Sequence, residues 1–122
     1  MTHRNKIRGN NLERELVNIA KEEGLSAKRA YASDGRSLGK SEVVDVIVGK
    51  YTIQAKRKKV IAQWLYPDSH GDDVDLVATR MDRKETLAIL PYKEWIRLIK
   101  IEEEYENLLN EKRSKGSNKS SK

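Results

Sequence analysis

The sequence predicts a single α/β domain, a mixed β-sheet flanked by helices. Three observations predict it: a helical apolar stripe near the start, strand-like runs with period-two alternation through the middle, and a second long helical stripe near the end. A chain of 122 residues has room for one modest core and none for a second domain.

The elements follow in order. In "LERELVNIAKEE" the residues Leu12, Leu16, Ile19 and Ala20 recur at helical spacing, with Asn10 or Asn11 as the expected cap and Gly24 as the stop. "SAKRAYA" reads as a first strand and "SDGRSLGKS" as a polar loop. "EVVDVIVGKYTIQAK" reads as a hairpin, because glycine at the first position of the Gly49-Lys50 turn suits the type II′ geometry. That turn sets Val48 opposite Tyr51 and Val46 opposite Ile53. Val44, Val46, Val48, Tyr51, Ile53 and Ala55 then share one apolar face, and Asp45, Gln54 and Lys56 share the other. In this register Asp45 faces Gln54 at roughly 5 Å between Cβ atoms.

Beyond the hairpin, "KKVIAQWLY" predicts a short helix ending before Pro67, and "DSHGDD" a solvated loop whose spacing matches no calcium loop. "VDLVATR" and "TLAILP" predict two further strands, and a helix before a strand predicts the crossover that makes the sheet mixed. The last helix, "YKEWIRLIKIEEEYENLLNEK", carries Trp95, Leu98, Ile99, Tyr105, Leu108 and Leu109 on or near one stripe. Residues 1–112 are expected to form the domain, and residues 113–122 a disordered basic tail.

Composition narrows the function. No apolar run approaches the roughly 20 residues of a membrane span. The N-terminus lacks the apolar core of a signal peptide, and the absence of cysteine excludes disulfides and Cys-based zinc sites. An intracellular protein with no membrane partner is expected. The net charge is +6, but residues 112–122 hold five of the 25 Lys and Arg and no acid. The remaining charge is segregated: Arg4, Lys6 and Arg8, then Lys28 and Arg29, then Lys56, Arg57, Lys58 and Lys59 are basic, while Glu102, Glu103, Glu104 and Glu106 are acidic. Segregated positive charge suits a polyanion such as nucleic acid.

An acid inside "VVDVIV" is costly unless it has a partner or a task. Asp45 and Gln54 offer oxygens of the kind that Mg²⁺ or Mn²⁺ takes. Lys56 is placed to orient a water or stabilise charge developing on a phosphate. This is the equipment of metal-dependent phosphodiester hydrolysis.

These residues also carry a resemblance. "DVIVG" followed by "YTIQAK" resembles the Asp and Glu-x-Lys strands of the PD-(D/E)XK nuclease superfamily, and "GNNLERELVNIAKEEG" with "KRAYASDG" resembles the archaeal-type Holliday junction resolvases. The likeness covers roughly residues 8–60. It implies a restriction-endonuclease-like core, and a homodimer that uses Mg²⁺ to cut two strands of a four-way DNA junction. It further implies that Glu13 is the helix-borne acid of the metal site, Asp45 the central ligand, Gln54 the position usually held by Glu, and Lys56 the catalytic lysine. Arg14, Arg29 and Ser33 match positions near the scissile phosphate. With Arg4, Lys6, Arg8, Arg57, Lys58 and Lys59 they form the expected DNA contacts. Gln54 departs from the pattern: an amide keeps the oxygen and removes the charge, so the metal is expected to be held more weakly. Two other readings stay open: a nucleic-acid-binding module on a nuclease fold that has lost catalysis, and a restriction- or repair-type nuclease that shares the chemistry and acts on ordinary duplex.

Overall fold

Two long helices pack on one face of a small antiparallel sheet in the computed structural model of the chain. It describes residues 2–30 and 35–120, with the backbone alone for residues 2–10, 35, 37 and 116–120. In order these form α1 (Thr2–Glu22), β1 (Ala27–Arg29), β2 (Val46–Val48), β3 (Tyr51–Ile53), β4 (Val77–Thr79), β5 (Leu87–Ile89) and α2 (Tyr92–Ser120), with single 3₁₀ turns at Gly35–Leu38, Gln63–Leu65 and Pro67–His70.

The core side of α1 is the stripe Glu13, Leu16, Val17 and Ala20, all buried. The helix ends as expected at Gly24, whose φ is +85°. Its N–H reaches the Lys21 carbonyl at 2.9 Å and that of Leu25 the Ala20 carbonyl at 3.0 Å, the paired closure that a left-handed residue permits. The start differs from expectation. Asn10 and Asn11 do not cap α1, which begins at Thr2 and runs through Gly9 unbroken. These residues lower helix propensity by under about 1 kcal/mol each, and no proline interrupts the hydrogen-bond ladder.

The hairpin takes the expected register: Val46 opposite Ile53, Ile47 opposite Thr52 and Val48 opposite Tyr51. Gly49 has φ +55° and Lys50 a negative φ, which is the type II′ turn. β1 pairs antiparallel on the far edge of β2, giving the order β1-β2-β3. Val46, Val48 and Ala27 point into a core closed by Val17, Ala20 and Leu25 from one side and Ile96 and Ile99 from the other.

Among the described residues there is no crossover. Every described strand pairing is antiparallel, and β4 pairs with its sequence neighbour β5 in a separate two-stranded sheet. The helix expected over "KKVIAQWLY" is reduced to the 3₁₀ turn at Gln63–Leu65, so nothing carries the chain across the first sheet. Four consecutive cations at Lys56–Lys59 followed by β-branched Val60 and Ile61 make a poor helix start.

α2 is fastened by side-chain hydrogen bonds at two places, and by the looser Lys100–Glu23 ion pair at 3.7 Å. The Tyr92 hydroxyl donates to the Leu16 carbonyl at 2.8 Å, and burial pushes its pKa up to about 12. Further along, the Tyr51 hydroxyl donates to Glu102 at 2.7 Å, and Lys50 binds Glu106 at 2.8 Å and Glu102 at 3.3 Å. These bonds raise the pKa of Lys50, through Glu106 and then Glu102, and the Tyr51 bond lowers that of Glu102. α2 then continues through residues 113–120, where the sequence suggests a disordered tail. Among the described residues no helix is long and apolar enough to cross a membrane.

Candidate active site

Glu13 and Asp45 are the two charged side chains buried among the described residues, at 3% and 9% exposure. Both lie at the same end of the first sheet. Glu13 extends the core stripe of α1 by one turn, so its carboxylate enters the protein and needs a cation. Arg29 supplies it, Nη2 donating to Oε2 at 3.1 Å. Arg29 sits at the end of β1, on the face it shares with Ala27 and opposite Val46.

Asp45 is held from three directions. Its carbonyl accepts from Ala30 N–H at 2.8 Å, its own N–H donates to the Ile53 carbonyl at 2.9 Å, and its Oδ2 accepts from Ala55 N–H at 2.7 Å. The second bond is one residue out of step with the hairpin ladder, which ends at Val46 opposite Ile53. The expected ladder pairs of Asp45 with Gln54 and Val44 with Ala55 therefore do not form. The carboxylate takes the Ala55 N–H that the next rung would have used. This accounts for the depth of Asp45, while Gln54 beside it is exposed.

Lys56 follows Ala55 directly and opens a cleft of about 720 Å³ walled by Lys56, Arg57, Lys58 and Lys59 on one side and by Asn11, Leu12 and Glu15 of α1 on the other. The α1 residues of this wall bracket Glu13 in sequence. The chain thus brings one turn of α1, Asp45 and the segment 54–56 to one end of the sheet. Arg14 is exposed beside Glu13. Arg4, Lys6 and Arg8 lie on the α1 backbone, with side chains outside the described set, and Ser33 lies outside the described residues altogether. Among the described residues no group of three His, Cys, Asp or Glu is placed to hold a metal, "DSHGDD" included.

Sequence reasoning missed Glu15 and the pairing of Arg29 with Glu13. Glu15 was legible, since Leu12 and Glu15 are three apart and share a helix face. The ion pair was not, because nothing in the spacing of residues 13 and 29 sets the helix against that edge of β1.

The family model described as archaeal Holliday junction resolvase (hjc) matches residues 4–62. No curated protein and no solved structure matches the chain. The matched span contains Glu13, Arg29, Asp45, Gln54 and Lys56, and over residues 4–62 the chain is similar to the archaeal Holliday junction resolvase family.

Proposed function

We propose that this chain is a metal-dependent endonuclease that resolves four-way DNA junctions by phosphodiester hydrolysis, acting as a two-fold dimer on a restriction-endonuclease-like core. The observation that carries the reading is a pair of buried carboxylates, Glu13 between the α1 residues that wall the cleft and Asp45 bonded to Ala55 just before its four consecutive basic side chains, although neither acid lines the cleft itself. The family match supports a junction as substrate, and the small antiparallel sheet with helices on one face is compatible with the core.

The donor set fits Mg²⁺ or Mn²⁺. Mg²⁺ takes one or two protein carboxylates and completes its shell with water and substrate phosphate. Glu13 and Asp45 would supply those carboxylates, and exposed Gln54 a neutral oxygen. When bound, the cation would polarise a phosphoryl oxygen and lower the pKa of an attacking water. The protein's own share is positional. Ala55 N–H and Arg29 hold the two carboxylates in fixed orientations, so little reorganisation is left for the reaction. Lys56 lines the cleft, where its ammonium would offset charge building on the phosphate. Arg57, Lys58 and Lys59, with Arg14, Arg4, Lys6, Arg8 and Ser33, would bind backbone phosphates. Such contacts set orientation rather than sequence preference.

Incubating the protein with a synthetic four-way junction beside linear duplex, in Mg²⁺, Mn²⁺ or chelator, tests the proposal. Cutting of the junction with metal alone is expected. Cutting in chelator would remove the metal from the reading, and equal cutting of duplex would remove the junction. The exposure of Gln54 and the two-acid set favour one second reading, a junction-binding module without catalysis. That reading expects tight junction binding and no cleavage at any metal concentration, with or without Gln54→Glu.

A further inference from the structure

α2 is apolar on two opposite sides. Tyr92, Trp95, Ile96 and Ile99 pack into the core. At about 100° per residue, Leu98, Ile101, Tyr105 and Leu108 fall on the far side. They are exposed at 47%, 51%, 61% and 63%. Their spacing alternates three and four, which is the seam of a coiled coil rather than scattered surface. The same alternation continues to Glu94 before the stripe and to Lys112 after it.

α2 has 29 residues. At 1.5 Å per residue that is about 43 Å of helix. Among the described residues, its last side chain bonded to the body is Glu106, on Lys50. A helix that runs on without packing gains little stability in water, so the outer stripe calls for a partner. DNA is a poor candidate, because Glu102 and Glu104 flank the stripe on either side.

The stripe is complementary to its own reverse. Running two copies antiparallel about an axis beside Glu103 sets Leu98 on Leu108 and Ile101 on Tyr105 across the seam. The same alignment sets Glu94 against Lys112 at both ends, and flanking Arg97 against Glu111. A parallel alignment instead sets Glu94 on Glu94 and Lys112 on Lys112. The end charges therefore favour the antiparallel arrangement, although Glu102 and Glu104 each meet their own copy near the axis. We infer that the outer face of α2 is the dimer seam, pairing antiparallel with α2 of a second copy of this chain. The inference rests on the dimeric part of the proposed function and specifies its surface.

The chain has no cysteine, so introduced ones report geometry without background. A mixture of Leu98→Cys and Leu108→Cys should cross-link under mild oxidation, while neither alone should. The double variant Ile101→Glu with Tyr105→Glu should fall from twice the chain mass to the 14.0 kDa of one chain by light scattering. Circular dichroism would show whether it keeps its fold, and if it does not, the cross-linking result decides. A parent dimer left intact by the double variant, or Leu98→Cys cross-linking to itself, would overturn the seam and leave the dimer standing. A parent that is monomeric both free and on junction DNA would overturn both, while metal-dependent cutting would still be read separately.

Discussion

Replacing Asp45 separates its structural and chemical roles, because the two depend on different properties of one side chain. Its Oδ2 accepts the Ala55 N–H at 2.7 Å from a position only 9% exposed. A hydrogen bond to a charged acceptor contributes about 1.5–3 kcal/mol and a neutral one about 0.5–1.5. Asp45→Asn keeps an oxygen for Ala55 and removes the charge, so it should cost about 1 kcal/mol. Asp45→Ala removes the acceptor and leaves a half-buried N–H, which should cost about 2–3 kcal/mol. At roughly 4 °C per kcal/mol for a domain of this size, the melting temperature should fall by about 4 °C and by about 8–12 °C respectively. Both variants should lose junction cleavage by at least ~100-fold, because each removes a carboxylate from the proposed two-carboxylate site, whose cation would supply several kcal/mol. Thermal unfolding by circular dichroism and single-turnover cleavage of a junction measure the two effects. Undiminished cutting by Asp45→Asn would refute the ligand role, and equal melting of the two variants would refute the contribution of the Ala55 bond.

Gln54→Glu should lower the Mg²⁺ concentration giving half-maximal cleavage and Gln54→Ala should raise it, as a metal titration would read, and cutting by Gln54→Ala at the parent's concentration would exclude Gln54 as a ligand. Truncation after Lys112 removes four positive charges, and should flatten the salt dependence of DNA binding by at most about 0.9 log units of slope per lost phosphate contact without changing the preference for junctions over duplex. Tyr92 titrates near 12 in the folded chain against 10.0 for the free side chain. Its stabilising effect should be complete below pH 10 and be lost as pH rises through 12, by about 1 kcal/mol once its partial exposure is allowed for. Tyr92→Phe should melt earlier at neutral pH and show a flatter alkaline limb.

Local chemistry decided which parts of the fold were legible. The hairpin register followed from a single glycine, because a two-residue turn leaves one alignment that puts Val46, Val48, Tyr51 and Ile53 on the same face. Gly24 marked the end of α1 for a similar reason, a left-handed residue being cheap only there. The start of α1 was not legible: Gly9, Asn10 and Asn11 carry weak local signals for a cap, and an unbroken hydrogen-bond ladder overrides signals of that size. The mixed sheet failed because it depended on a helix over residues 58–66 whose apolar residues have nothing to pack on. Only Pro67 is buried between residues 56 and 80. At the site, Asp45 stood out as an acid within an apolar run while Glu13 was marked by the family resemblance alone, and both are buried. The shift at Asp45 that ends the ladder was hidden, since a carboxylate competing with a backbone carbonyl for Ala55 N–H leaves no trace in periodicity.

Arg29 shows how that competition extends to the basic residues. From the sequence it belonged with the cations that meet DNA, alongside Lys56 to Lys59. In the structure its Nη2 binds buried Glu13, while the four residues that follow Ala55 are exposed along the cleft. Apart from Arg57 the wall cations are lysines, which differ from Arg29 in chemistry as well as place. A guanidinium is planar, permanently charged and weakly hydrated, so it tolerates the edge of the core and fixes a carboxylate's orientation. Lysine ammonium groups hold their water, and suit an open wall where phosphate must arrive and leave. If Arg29 serves chiefly to orient Glu13, then Arg29→Lys should impair cleavage far more than junction affinity. Lys58→Ala with Lys59→Ala should do the reverse, weakening affinity and its salt dependence while leaving the saturated cleavage rate near the parent's. Loss of affinity as the main effect of Arg29→Lys would return that residue to the DNA-contacting set.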